Sequence, residues 1–479
     1  MKIINHQNTK IVATVGPACS SYEKLLELVQ AGVNVFRLNF SHGTHEDHLK
    51  VINHINYINE KYNLHISTLA DLQGPKLRVG KIKDNALILK PGDKITFVNE
   101  ECIGTMDSVY MSYPQFASDV KVGEKVLVDD GKLMFEVINT NGVNKVEMNV
   151  LFGGTLSSNK GVNLPNTKIS LPSLTEKDRK DLAYMLTIPS INWIALSFVR
   201  SAKDVKELEA IIQAAGHSAK VMSKIEKPEA IERIDKIIKA SNGIMVARGD
   251  LGIEVPIEQL PNLQKQIIMK CRQRARPVIV ATHMMDSMIT NPIPSRAEVT
   301  DVANAVLDGA DAVMLSGETS VGLHPEKVVE AMNKIIAEAE KGYKLTRERR
   351  PKLSPNSRTF LSDAICRHAA KTAEEVNAKA ILGVTSSGYT AFKVSSYRPE
   401  AKMYVFSDSN HILNTLSLVW GVNCFYYDKF TTTDETIYDL SEILKKSKVV
   451  NEGDVVINTG SMPLKARHRT NMMKITVID

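Results

Sequence analysis

Eight short apolar runs recur along the chain, each followed by a helical pattern, and this alternation restricts the fold more than any other feature. The runs lie at 10–16 (KIVATVG), 34–41 (NVFRLNFS), 67–71 (STLAD), 193–199 (WIALSFV), 221–226 (VMSKIE), 243–250 (GIMVARGD), 277–283 (PVIVATH) and 312–318 (AVMLSGE). They are apolar along most of their length instead of alternating, as strands covered on both faces are. The segments between them carry helix signals. Ser201 precedes a face of Val205, Leu208, Ile211 and Ile212 that Gly216 closes. Pro228 stands where a first helical turn would begin, ahead of Ile231, Ile234 and Ile237. Ser295 and Glu298 have capping-box spacing before Val299, Val302, Val306 and Leu307. Eight strand-then-helix units predict a (β/α)₈ barrel. A doubly wound open sheet satisfies the same pattern, because strand order is invisible in sequence.

Between 74 and about 171 the texture changes. Short alternating pieces are separated by the turn signals Pro91-Gly92-Asp93, Asp130-Gly131, Asn141-Gly142 and Gly153-Gly154. That is hairpin texture without helices, and it predicts an all-β unit inserted into the third strand–helix unit. A charge-rich stretch at 344–352 reads as a linker. Beyond it, apolar strands at 380–384, 403–406, 455–458 and 475–478 predict an open-sheet α/β unit. The expected division is 1–74 with 172–343 for the barrel, 75–171 for a β-rich insertion and 344–479 for a C-terminal open-sheet α/β domain.

Composition enters by exclusion. The 60 Lys and Arg against 54 Asp and Glu leave a net charge of +6 over 479 residues, with no basic block of the nucleic-acid kind. The five cysteines are scattered and form no CxxC pair, which argues against a disulfide framework or a zinc site and fits a reducing cytosol. No apolar run approaches the roughly 18 residues of a membrane span. Residues 1–10 lack an apolar signal core. The expectation is a cytoplasmic protein without nucleic-acid or membrane partners.

Polar residues gather at the C-terminal ends of the runs: Arg37, Asn39 and Ser41; Asp71; Lys224 and Glu226; Arg248 and Asp250; Thr282; Ser316 and Glu318. In a (β/α)₈ barrel those ends converge on the face where catalysis occurs. Residues i and i+2 of a strand share a face, so Lys224 and Glu226 aim at one site and Asp250 joins them from the next strand. Two carboxylates offering oxygen suit Mg²⁺, and a lysine beside them can neutralise an oxyanion or a transferring phosphoryl group. A Lys–Glu ion pair inside the barrel is the plainer alternative. In Arg248-Gly249-Asp250-Leu251-Gly252 the glycines let the backbone approach a ligand, and its N–H groups can hold a carboxylate; a structural turn is the alternative. Arg37 near Asn39, Ser41 and His42 offers an anion clamp with oxygen ligands.

These residues fall within longer motifs: TVGPACSS (14–21), NVFRLNFSHGTHEDH (34–48), ADLQGPKLR (70–78), KGVNLP (160–165), SKIEKPEAI (223–231), MVARGDLGIE (245–254), ATHMMDSM (281–288) and SRAEVTDVANAVLDGADAVMLSGET (295–319). With them the chain closely resembles the pyruvate kinase family along essentially its whole length. The resemblance implies the barrel, the lid after the third strand and the C-terminal regulatory domain. It also implies phosphoryl transfer from phosphoenolpyruvate to ADP, giving ATP and pyruvate, by a cytoplasmic homotetramer.

By the same resemblance Lys224 stabilises the transferring phosphoryl group and the enolate oxygen. Glu226 and Asp250 ligate Mg²⁺ or Mn²⁺, and Arg37 binds phosphate. The Gly249 and Asp250 backbone and the Thr282 hydroxyl hold the substrate carboxylate, with Thr282 near the face where the enolate is protonated. Asn39, Phe40, Ser41, His42, Arg78 and Lys160 contact the nucleotide. The family's monovalent-cation site corresponds to Asn39, Ser41, Asp71 and the Leu72 carbonyl. Leu72-Gln73 with Lys76 resembles the branch that does not require K⁺, the lysine ammonium standing in for the ion's charge. A phosphorylated effector is expected at Thr385, Ser386, Ser387, Gly388 and Thr390, although Ser386 stands where several relatives have lysine. A loop at 460–469 adds Lys465, Arg467 and Arg469, for which a solvated basic loop is the plainer alternative. Two other functions fit parts of the pattern. A carbon–carbon lyase on the same barrel would use carboxylate-held Mg²⁺ but needs no Lys160 or lid. A non-catalytic sensor would be expected to lack Lys224, Glu226 or Asp250. Fold alone does not separate these.

Overall fold

The computed structural model describes residues 7–342, 350–429, 432–462 and 468–479. Its centre is a closed barrel of eight parallel strands: β1 (Lys10–Thr14), β2 (Val35–Asn39), β3 (Ser67–Asp71), β4 (Trp193–Leu196), β5 (Lys220–Ile225), β6 (Gly243–Ala247), β7 (Val278–Ala281) and β8 (Ala312–Leu315). Each pairs with the next, and β8 returns to β1 with Ala312 beside Lys10. The closure removes the open-sheet alternative. Successive side chains point to opposite faces, so Val12, Val35, Leu69, Trp193, Met222, Met245, Ile279 and Met314 fill the barrel. Their neighbours, among them Ile11, Ala13, Val221, Ile244 and Val280, pack outward against the helices. This double covering explains the unbroken apolar runs.

Several runs end earlier as strands than their apolar pattern predicts. β6 stops at Ala247, and a short helix, Arg248–Glu254, carries the RGD sequence. β7 stops at Ala281, so Thr282 and His283 lie beyond the ladder. β8 stops at Leu315 and a turn of helix follows at Gly317–Ser320. The backbone leaves the ladder where its polar residues turn onto the barrel rim. The helix signals at Ser201 and Ser295 hold: both side chains cap helices, Ala202–Ala214 and Arg296–Asp308, in reciprocal capping boxes. The single helix expected after Pro228 is two, Pro228–Glu232 and Ile234–Ala240, parted at Arg233.

The insertion after β3 builds a six-stranded sheet in the order Val162–Asn163, Lys125–Val128, Leu133–Thr140, Lys145–Phe152, Lys94–Val98 and Val109–Tyr110, with a two-stranded piece beside it. It has its own apolar core around Phe97, Phe135, Val137 and Met148. Fully burying each such side chain is worth about 1.5–3 kcal/mol, enough collectively to hold a unit of this size. The C-terminal unit is a five-stranded sheet in the order Val422–Tyr426, Lys402–Ser407, Ala380–Val384, Val455–Gly460 and Met472–Val477, the last antiparallel. Four of these strands were expected. Val422–Tyr426 was not: it is an edge strand, only partly buried, whose Asn423 and Cys424 break the apolar run. Most of the expected linker, residues 344–349, lies outside the described residues.

The C-terminal unit closes the N-terminal end of the barrel. Leu418 packs into the barrel's interior cluster, and Trp193 Nε1 donates to the Thr415 carbonyl at 3.2 Å. The site face is therefore the opposite, open end.

Candidate active site

The C-terminal ends of β2, β3 and β5 converge on a single ionic cluster. Lys224 Nζ lies 3.0 Å from Glu226 Oε1 and 3.4 Å from Asp71 Oδ1, and donates to Ser197 Oγ at 2.7 Å. On the other side of Asp71, Oδ2 accepts from Arg37 Nε at 2.7 Å. Arg37 also donates to Thr14 Oγ1 at 3.1 Å, which ties in the end of β1. Glu226 Oε2 accepts from the Phe198 N–H at 2.6 Å, whereas the buried Oε1 faces the Lys224 ammonium. The i, i+2 argument thus holds for Lys224 and Glu226. Asp250 approaches from the first turn of the helix after β6.

Burial and charge oppose each other here. Burial works against the ammonium of Lys224, but Asp71 and Glu226 outweigh it, so the lysine holds its proton beyond the usual range. Burial likewise opposes the Asp71 carboxylate, yet Lys224 and Arg37 keep it below the usual range. Glu226 goes the other way. Burial pushes its carboxyl up, Lys224 offsets this only in part, and the charge of Asp250 pushes it further up. A buried carboxylate and a half-buried one whose charges oppose each other make an oxygen-donor pair suited to a hard divalent cation. Among the described residues no group of three His, Cys, Asp or Glu could hold a metal. A cation at Glu226 and Asp250 would therefore complete its shell with oxygens from outside this set, as Mg²⁺ commonly does.

Thr282 sits on the rim with φ +69° and His283 follows with φ +52°, both in the left-handed region. The Thr282 hydroxyl accepts from the Gly249 N–H at 2.6 Å and donates to the Ala281 carbonyl at 2.6 Å. A Cβ on Gly249 would come within 3.3 Å of that hydroxyl, so glycine allows the close approach.

A cleft of about 770 Å³ opens beside the cluster between the ends of β1, β2 and β8, bounded by Gly16, Pro17, Arg37, Asn39, His42 and Ser316 among others. Asn39 Oδ1 accepts from the Ser41 N–H, and the Phe40 carbonyl from Lys177. Burial lowers the His42 pKa, and the charges of Arg78, Lys76, Arg37 and Lys177 lower it further. Lys76, which lines a second cleft with Lys227 and Asp250, and Arg78 belong to the insertion. They make no contact with Asp71 or Lys224: Arg78 donates to the Asn159 carbonyl at 2.9 Å, and Lys76 is exposed. Lys160 pairs with Asp129 within the insertion at 2.9 Å. The insertion touches the barrel through Asn163, which donates to Glu254 Oε1 at 3.0 Å, and through Ile169 and Leu171, whose carbonyls take the Arg200 guanidinium.

In the C-terminal unit, Thr385 Oγ1 accepts from the Gly388 N–H at 2.9 Å, and Gly388, at φ +79°, opens the helix Tyr389–Ser396. Ser386 and Ser387 are exposed, but the Thr390 hydroxyl is buried and turned to that of Thr470. Arg469 reaches the Arg358 carbonyl. Lys465 and Arg467 lie outside the described residues.

Sequence reasoning missed Ser197, which bridges Lys224 to the Leu72 carbonyl, the latter at 2.7 Å. The one polar residue at the end of an otherwise apolar WIALSFV run was the available signal. It also gave Asp71 only a monovalent-cation role, whereas its carboxylate joins Arg37 to Lys224.

Known proteins match this arrangement throughout. The family described as pyruvate kinase, barrel domain, matches residues 6–329, and that described as pyruvate kinase, alpha/beta domain, matches 363–476. A pyruvate kinase of Corynebacterium glutamicum is 42% identical over 472 residues, covering 98% of each chain. One of Geobacillus stearothermophilus is 41% identical, covering 98% of this chain and 80% of that protein. The crystal structure of a pyruvate kinase from Cryptosporidium parvum superposes with a TM-score of 0.92 at 33% identity, covering 99% of this chain and 96% of that one.

Proposed function

The chain belongs to the pyruvate kinase family, and we propose that it catalyses transfer of the phosphoryl group of phosphoenolpyruvate to ADP, the last step of glycolysis, without requiring K⁺. The observation that carries the reading is the Lys224 ammonium held between Glu226 and Asp71 on the open face of the barrel, at 3.0 and 3.4 Å.

Each residue has work that its surroundings suit. Arg37, braced by Asp71 and Thr14, holds the substrate phosphate. Lys224, fixed by Ser197, meets charge that develops on the transferring phosphoryl group and on the enolate oxygen, and its raised pKa keeps it cationic at every working pH. The Gly249 N–H, the Asp250 backbone and the Thr282 hydroxyl receive the substrate carboxylate. Gly249 and Thr282 satisfy one another at 2.6 Å, a pairing that a carboxylate can replace. Asn39, Phe40, Ser41, His42, Arg78 and Lys160 take the nucleotide, the last two reaching from the lid, which excludes water that would compete with ADP. Glu226 and Asp250 would hold Mg²⁺ or Mn²⁺. That ion, when bound, supplies charge that neutralises phosphate oxygens.

The K⁺ independence rests on the four candidate ligand positions and on Lys76. Asp71 is engaged by Arg37 and Lys224, the Leu72 carbonyl takes the Ser197 hydroxyl, and Asn39 takes the Ser41 N–H. The Lys76 charge reaches the neighbouring His42. The division into 1–74 with 172–343, 75–171, and 344–479 belongs to the same reading, supported by an apolar core of the insertion's own and by one within the C-terminal unit, although Leu418 joins the barrel's interior. So do a cytoplasmic homotetramer and a phosphorylated effector bound at 385–390. Among the described residues no helix is long and apolar enough to cross a membrane.

A coupled assay of ADP-dependent pyruvate formation, run in tetramethylammonium and in potassium buffers of equal ionic strength, tests both statements. Activity within about twofold in the two buffers is expected, with Lys76→Glu falling sharply in the first and recovering partly in the second. No pyruvate formation in either buffer refutes the activity. A strong potassium requirement refutes only the second statement.

A further inference from the structure

Thr282 and His283 are two consecutive non-glycine residues in left-handed backbone, and the first is β-branched, for which φ +69° is a real outlier. Such a pair persists only where its surroundings impose it. The side chain placed to impose it is Arg248. One arm of its guanidinium donates to the Thr282 carbonyl at 2.9 Å and lies 3.4 Å from the His283 carbonyl. The other arm is anchored at 2.7 Å on Asp301, from the helix Arg296–Asp308, and lies 3.5 Å from Gln264 Oε1. The side chain is 11% exposed, so the fork is largely shielded and its direction is set by these partners.

Arg248 also immediately precedes Gly249, whose N–H fixes the Thr282 hydroxyl. Two adjacent residues thus grip Thr282 from both sides, by its carbonyl and by its hydroxyl, and the next residue is Asp250. We propose that Arg248 is a positioning residue for the proton-transfer half of the reaction: it holds the Thr282–His283 backbone in its strained form and so fixes the Thr282 hydroxyl against Gly249, on the rim face where the enolate carbon is protonated. In that half the C=C π pair of the enolate takes a proton that comes from solvent water past the Thr282 hydroxyl, forming the new C–H bond of the pyruvate methyl group while the C–O⁻ becomes the ketone and hydroxide returns to solvent. A lysine could supply the charge but not the planar fork that spans Asp301 and two carbonyls.

The inference rests on the reading of the site given above, and the test keeps the two apart. The full chain and Arg248→Met are compared in ADP-dependent pyruvate formation, and in exchange of pyruvate methyl protons with D₂O followed by NMR. Circular dichroism and thermal melting monitor the fold. The expected result is a loss of roughly 10- to 100-fold in both kcat and methyl exchange, with KM for ADP within about twofold. Millimolar methylguanidinium should restore at least fivefold in Arg248→Ala. Folded Arg248→Met with kcat and exchange within twofold of the parent overturns the proposal, as does a loss that methylguanidinium leaves untouched. If Arg248→Met does not fold, Asp301→Asn takes its place. Releasing the anchor should then cost three- to tenfold in both rates, and parity overturns the proposal. A parent protein inactive in both reactions would instead sink the reading of the site.

Discussion

The two ends of the barrel bury charge in opposite ways. At the N-terminal end, Arg398 pairs with Asp311 at 3.1 Å, donates to the Gly309 carbonyl at 2.8 Å and lies 4.9 Å over the Trp420 ring. Asp311 in turn accepts from the Val278 and Trp420 N–H groups. Lys10 donates to the Val422 carbonyl at 2.8 Å. At the C-terminal end Lys224 lies between Glu226 and Asp71, the charge of Asp250 pushes the Glu226 carboxyl further up, and Thr282 and His283 sit in left-handed backbone. The same residue types therefore do different work. Where charges pair across two units, they specify how those units dock. Where charges cluster under an open face beside strained backbone, they are available for chemistry.

The comparison breaks most visibly if the closed end proves dispensable. Arg398→Met strips the cation from a buried pair and should cost about 3–5 kcal/mol, read as a lowered thermal midpoint. Turnover of the folded fraction at 25 °C should stay within twofold. An unchanged midpoint would mean that the docking charges hold nothing. At the open end the effect should invert. Lys224→Met should lose about 10²–10³ in kcat. It should melt closer to the parent than Arg398→Met does, because Arg37 still covers Asp71 and Glu226 can take a proton. Near-normal turnover in that variant would remove Lys224 from the chemistry.

Lys10 sharpens the contrast through pH. Burial lowers its pKa from 10.5 to about 8. Between about 8 and 10.5 the unfolded chain binds a proton that the folded chain does not, so this group's contribution to stability rises with pH across that window. Denaturant unfolding at pH 7.5 and pH 10 should show a gain of about 1–3 kcal/mol that Lys10→Met abolishes. An identical pH slope in the variant would place the titration elsewhere. The smallest effect concerns the exposed serines of the 385–390 loop. Calorimetry across sugar phosphates and nucleoside monophosphates should find a ligand whose binding Ser386→Glu or Ser387→Glu weakens severalfold. Binding that neither change affects, or none at all, would detach the effector from this loop.

How far each region could be read from sequence follows the range of its interactions. The barrel strands were legible because burial on both faces writes itself into consecutive residues. Their ends were not, since Arg248–Asp250 looks like the end of a strand until the backbone turns outward. Lys224 and Glu226 were placed by two-residue spacing, a local rule. Ser197 and Arg248 stand as polar residues at the ends of apolar runs, but they act through partners on other strands and loops that the local sequence does not name. The docking of Trp193 on Thr415 and of Lys10 on Val422 joins residues hundreds of positions apart. Such contacts leave no periodicity to find.

Leu418 inside the barrel has a consequence for how the protein is made. A ribosome delivers β8, which lies beside β1, before it delivers Leu418, Arg398 or Trp420. The ring of strands can therefore join while its floor is still missing, with Trp193 and Met222 reachable by water and by other nascent chains. The insertion acts earlier and in the opposite sense. β3 and β4 pair with Leu69 beside Trp193, and the segment between them holds an apolar core of its own. Folding that core first shortens the effective loop that must close. Assembly thus runs from the insertion through ring closure to the floor. The interval between the last two steps is when the nascent chain is most exposed to misassembly.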